Sequence, residues 1–176
     1  MKLRFLNDEI KFQKHIIIHV CLFAIGIIVG ILASKTEGNI GKIPFLSRPF
    51  HVYFFHNVLS CLIFIFLGVF TYGLLTWLPL LYNAFFLGVA IHLLSYQASI
   101  VKMIYLFAHG LFEIPAIFLS IYLGRFLSYS CYHHLKNRIL KKKEAGKDKK
   151  FTIAIILFLT MNILLFIASI IESISK

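Results

Sequence analysis

Five apolar runs, at about 16–34, 52–76, 78–95, 100–127 and 152–172, restrict this chain more than any other feature. Each approaches or exceeds the roughly 18 to 20 residues that cross a bilayer as a helix. Backbone left open in lipid finds no hydrogen-bond partner, so all five runs are expected to be α-helical. The expected fold is all-α: a polytopic membrane protein, one transmembrane domain over residues 1–176 built as a five-helix bundle. Composition agrees. Charged residues are 14% and the mean hydropathy is +0.87, whereas a soluble domain averages about 25% charged.

The net charge of +11 is unevenly placed. The N-terminal tail holds Lys2, Arg4, Lys11 and Lys14, and residues 128–151 hold eight Lys and Arg within a stretch that includes RILKKKEAGKDKK. On a soluble protein such a balance points to nucleic acid. Here it points to orientation and to anionic lipid, and no nucleic acid is expected. The two richest segments belong in the cytoplasm. Four spans separate them, so both fit on one side, and the C-terminus is then outside. A re-entrant hairpin at 78–95 would leave three spans and force one basic segment across, which favours a full crossing. Pro79 suits the first turn of that span. Lys141, Lys142, Lys143, Lys149 and Lys150 are the candidate lipid-surface residues.

The N-terminal run from Ile16 to Ala33 exceeds a usual signal-peptide core, and Asp8 and Glu9 precede it, so a retained first span is expected. Cys21, Cys61 and Cys131 are scattered and odd in number, which gives no disulfide framework.

Small residues mark helix contacts. Gly26 and Gly30 form a GxxxG that lets two backbones approach. It serves packing inside the bundle or a dimer seam. Asn57, Cys61, Phe64 and Gly68 fall at i, i+4, i+7 and i+11, one stripe that should face protein.

The run 100–127 contains AHGLFEIPAIF. His109 and Glu113 share a helical face, and Pro115 removes the hydrogen bond to the Leu111 carbonyl, with Gly110 one turn upstream, as a candidate kink. On these boundaries Glu113 lies near the midplane. His109, His92 and Asn57 lie roughly 7, 8 and 10 Å toward the outer side. These four are the candidate intramembrane cluster. A charge at that depth costs at least about 2.5–3.5 kcal/mol unless paired or hydrated. Three uses fit: a polar network joining helices, a proton or ligand site in a transport-like cavity, or catalysis. Two histidines and a glutamate suit zinc, but the HExxH spacing is absent, as are GxSxG and paired aspartates. No metal or other cofactor is expected, and an enzyme is the less favoured reading.

HGLFEIPAIFLSIYLG, His109 to Gly124, resembles the signature of the stage II sporulation protein M family of bacterial membrane proteins. Asn57, Gly68, Gly73 and Gly88 follow that family's order of an asparagine and glycines upstream. Asn83 is followed by Ala84 where the family pattern has glycine. The resemblance covers about residues 50–127. It implies a multi-span scaffold that recruits other proteins rather than an enzyme. Short basic relatives accompany circular bacteriocin genes, where maturation, secretion or immunity is implied. The expected function is that of a non-enzymatic scaffold or accessory protein in the bacterial plasma membrane, in bacteriocin maturation, secretion or immunity or in envelope remodelling. Expected partners are anionic headgroups, further copies of the chain, or membrane proteins such as a transporter or secretion component. The alternative is an intramembrane metal-dependent hydrolase or proton-coupled transporter built on His109 and Glu113.

Overall fold

Apolar runs without internal breakers close their hydrogen bonds within the segment, and the computed structural model is built from the resulting helices. It describes residues 2–36, 49–97, 104, 107–140 and 147–174, the side chains of 2–14, 97 and 147–149 excepted. The long helices are α1 (Lys2–Thr36), α2 (Phe50–Thr71), α3 (Trp77–Gln97), α4 (Gly110–Ile139) and α5 (Lys147–Ile174). All five contain a stretch long and apolar enough to cross a membrane. The protein is a multi-pass, all-α membrane protein.

The helices group into two compact units that interleave in sequence. One holds α1 and α3, and the other holds α2, α4 and α5.

In the first unit, Gly26 and Gly30 supply the approach. A methyl group built on Gly26 would lie 2.6 Å from the Ala84 Cβ, and one built on Gly30 would run into the Phe85 carbonyl oxygen. Gly88 answers from the other helix, where a methyl would run into the Ile27 carbonyl oxygen. The GxxxG of α1 is thus met by an intramolecular Ala84–Gly88 pair at the same spacing. Backbone approach of this kind is how membrane helices gain packing where lipid offers no hydrophobic drive. Ala84, which stands where the resemblance expects glycine, fits its methyl into the Gly26 cradle. Residue numbers rise together along the contact, 26 with 84 and 30 with 85 and 89, so α1 and α3 run parallel.

In the second unit the buried residues of α2 are Asn57, Cys61, Phe64 and Gly68, the stripe expected to face protein. Gly68 meets Gly124: a methyl on the first would lie 2.8 Å from the Gly124 Cα, and a methyl on Gly124 would lie 2.7 Å from the Ile65 carbonyl oxygen. Cys61 is hydrogen-bonded to Ser120. Again the numbers rise together, so α2 and α4 are parallel. α5 returns along them. Glu113 sits in the first turn of α4 and Glu172 in the last turn of α5, and the two carboxylates act on each other electrostatically. The start of one helix beside the end of the next describes an antiparallel hairpin. Odd-numbered helices are parallel in one unit, and α2 is parallel to α4 and antiparallel to α5 in the other. Each unit by itself fits a chain whose successive spans alternate in direction.

Two helix C-termini differ clearly from the sequence expectation. α2 stops at Thr71, not near residue 76. Tyr72 takes a left-handed conformation (φ 55°), Gly73 follows at φ 79°, and the Gly73 N–H bonds the Gly68 carbonyl at 3.0 Å. Positive φ at both residues turns the chain out of the helix and satisfies a terminal carbonyl. Thr71 reinforces the stop, its hydroxyl donating to the Leu67 carbonyl at 2.6 Å and accepting the Leu75 N–H at 3.1 Å. Pro79 falls in the first turn of α3, as expected. At the other end of the pair, α4 continues past Leu127 to Ile139, through the start of the stretch read as a basic loop. Charged and aromatic residues there carry no apolar period, and the helix continues regardless. Lys141, Lys142 and Lys143 lie outside the described residues, only the helical backbone is described for Lys149, and Lys150 is exposed.

Candidate functional site

The polar residues of the second unit converge at the end where α2 and α4 begin. His109 is a turn residue, and Gly110 opens α4. The His109 carbonyl accepts both the Phe112 and the Glu113 N–H at 3.0 Å. Glu113 therefore sits in the first turn of a 30-residue helix. His109 Nε2 and Glu113 Oε2 are 3.8 Å apart, with side chains 21% and 29% exposed. This exceeds hydrogen-bond length, so the contact is an ion-pair geometry on the i,i+4 face rather than a closed bond. Pro115 lies inside the continuous helix Gly110–Ile139, and the irregularity falls at His109. Gly110 faces open space: an added methyl would meet nothing nearer than the Ile114 Cδ1 at 3.9 Å.

The α2–α4 register places Asn57. It stands as far before Gly68 as Glu113 stands before Gly124, so the two are level along parallel helices. The run boundaries instead put Glu113 roughly 10 Å deeper than Asn57. That expectation takes 100–127 as the whole span, and the described helix is displaced toward the C-terminus. Asn57 is 5% exposed, and its Nδ2 has no hydrogen-bond partner among the described residues. Cys61, one turn along from Asn57, bonds Ser120. The Ser120 hydroxyl donates to the Ile117 carbonyl at 2.7 Å.

Asn57, His109 and Glu113 thus belong to one unit. His92 belongs to the other, on α3, buried, with its ring edge-on to Tyr96 at 5.0 Å and its carbonyl accepting from Ser95 at 2.6 Å. Among the described residues, no three of His, Cys, Asp and Glu are grouped to hold a metal ion.

Sequence reasoning did not single out Glu172 or Gly124. Ser120, Gly124 and Ser128 repeat at every fourth residue, all buried. That small-residue stripe is readable in the sequence and marks the face α4 turns toward its neighbours. Glu172 needs the register of the α4–α5 hairpin, because alone it resembles an acid at the end of an apolar run.

Comparison with known proteins adds family and extent. The family model described as Stage II sporulation protein M matches residues 19–175. An uncharacterized protein of Methanocaldococcus jannaschii is 28% identical over 165 residues, covering 89% of this chain and 90% of that protein. No solved structure matches.

Proposed function

The chain belongs to the stage II sporulation protein M family, and we propose that it is a non-enzymatic scaffold or accessory protein that works by assembling with other membrane proteins. The processes proposed are bacteriocin maturation, secretion or immunity, or envelope remodelling, in a bacterial plasma membrane. One observation carries the reading: small residues within the spans join helices by close backbone approach. Cys61 bonds Ser120, Gly68 packs on Gly124, and Gly26, Gly30 and Gly88 hold α1 to α3. The large apolar side chains turned outward, such as Phe55, Phe66 and Phe70 on α2, are left for lipid or partner helices. Purification of tagged chain at native expression, after cross-linking in the membrane, is expected to recover a second copy or a membrane partner such as a transporter or secretion component. Recovery of the single chain alone counts against the scaffold.

A second reading has its own support. Glu172 brings a second carboxyl group into range of Glu113, and ionisable groups in sequence within the spans suit a proton relay.

The proposed topology places the N-terminus and the lysine-rich segment in the cytoplasm and the C-terminus outside. Impermeant maleimide added to intact cells is expected to modify Ser175→Cys and to leave Ala145→Cys unmodified. The reverse pattern overturns this orientation.

A further inference from the structure

α4 is too long for the bilayer it crosses. Its 30 residues extend about 45 Å, against roughly 30 Å of hydrocarbon. Its partner α2 ends at Thr71, just past Gly68, a level that corresponds on α4 to Leu127. The segment 128–139 therefore runs on past the end of α2, by about 18 Å.

That overhang has a particular chemistry. Arg125, Tyr132 and Lys136 fall at i, i+7 and i+11, one helical stripe. Arg125 lies against the turn that ends α2, its Cδ 3.7 Å from where a Gly73 side chain would begin. Tyr72, thrown outward by its left-handed backbone, sets its ring edge-on to Tyr132 at 6.3 Å. The Lys136 ammonium stands over the Tyr132 ring, 5.9 Å from its centre. Tyr72, Tyr132 and Lys136 are exposed. No aspartate or glutamate occurs between Glu113 and Glu144, so α4 itself supplies no anion along this stretch. Tyrosines beside cations are what the boundary between hydrocarbon and headgroups selects, the rings at the glycerol level and the charges at the phosphates.

We propose that Arg125, Lys136, Tyr72 and Tyr132 form a seat for the phosphate headgroup of one anionic phospholipid, at the step where α2 stops and α4 continues. The seat is distinct from the lysine-rich segment beyond residue 140, whose attraction to the membrane surface needs no fixed geometry. Nor does it depend on the scaffold reading.

The test is native mass spectrometry of the full chain in detergent with added phosphatidylglycerol, or with phosphatidylcholine of the same acyl chains. Phosphatidylglycerol is expected to be retained at least fivefold better. Lys136→Gln should lower that retention about fivefold, the effect of one basic residue near the surface. Arg125→Gln should lower it further, while Lys141→Gln, Lys142→Gln and Lys143→Gln together should lower it less than twofold. Because Arg125 packs against the α2 turn, helical circular dichroism accompanies each variant, and the exposed Lys136→Gln decides if Arg125→Gln does not fold. Equal retention of the two lipids overturns the proposal. So does a loss in the triple lysine variant as large as in Lys136→Gln, and so does displacement of the lipid by millimolar inorganic phosphate, which would mark a site for free anions.

Discussion

Gly30→Leu or Gly88→Leu is expected to separate α1 from α3, at a cost of about 3 kcal/mol, the upper part of the range for forcing side chains into packed sites. At both positions even a methyl group runs into a carbonyl oxygen of the opposite helix, so a rotamer change in a neighbour gives no relief and the backbones must move apart. The chain's single tryptophan, Trp77, opens α3 and reports on this unit. Its fluorescence during titration with dodecyl sulfate should show a transition at much lower detergent fraction in either variant. Ala24→Leu, on the exposed side of α1, should shift the midpoint by no more than about 0.5 kcal/mol. If Gly30→Leu and Ala24→Leu behave alike, the glycine-matched contact is not what holds the pair.

The second large effect concerns Glu113, where two substitutions separate the readings of the site. A glutamine keeps the volume and the hydrogen-bonding capacity of the side chain and loses only its ability to ionise. For a structural group, Glu113→Gln should change partner recovery no more than about twofold. Glu113→Leu should lower it about tenfold, because His109 then loses the carboxylate it faces at 3.8 Å and an apolar group replaces it, at about 1–3 kcal/mol. For a proton-carrying group the order changes: Glu113→Gln abolishes function while the protein remains folded and inserted. Metal analysis isolates the hydrolase reading, since only that one requires about one zinc per chain. The expected result is no bound zinc and a functional Glu113→Gln. Stoichiometric zinc that disappears on replacing His109 or Glu113 removes the scaffold from consideration.

Much of the fold was legible because bilayer thickness and helix rise are fixed quantities. Run lengths gave five helices, and the 3.6-residue period gave the Asn57, Cys61, Phe64 and Gly68 face in full. The glycines Gly26, Gly30, Gly68 and Gly88 announced close approach but not its partner: GxxxG is equally suited to a neighbouring span or to a second copy. Only tertiary contact, Gly26 on Ala84 and Gly88 on Ile27, makes the choice. The far end of α4 escaped for a different reason. Beyond the hydrocarbon a helix needs no apolar period, so Tyr129 to Ile139 read as loop. That misplaced centre carried through to the depth of Glu113. In the sequence Arg125 is a single charge near the end of an apolar run. Its meaning emerges only when Gly73 is placed beside it and Lys136 further along the same stripe.

The interleaving of the two units sets a timetable for synthesis. Within its unit, none of the first four helices packs on the one made immediately before it. α1 is complete at Thr36, but its partner is complete only at Gln97. At ribosomal elongation rates, α1 waits roughly 3 to 12 s with its glycine face uncovered. α2 then waits a similar time, from Thr71 until α4 is complete at Ile139, with Asn57 and Cys61 turned toward a neighbour not yet made. During those seconds the exposed polar stripe of α2 needs shelter that lipid does not give.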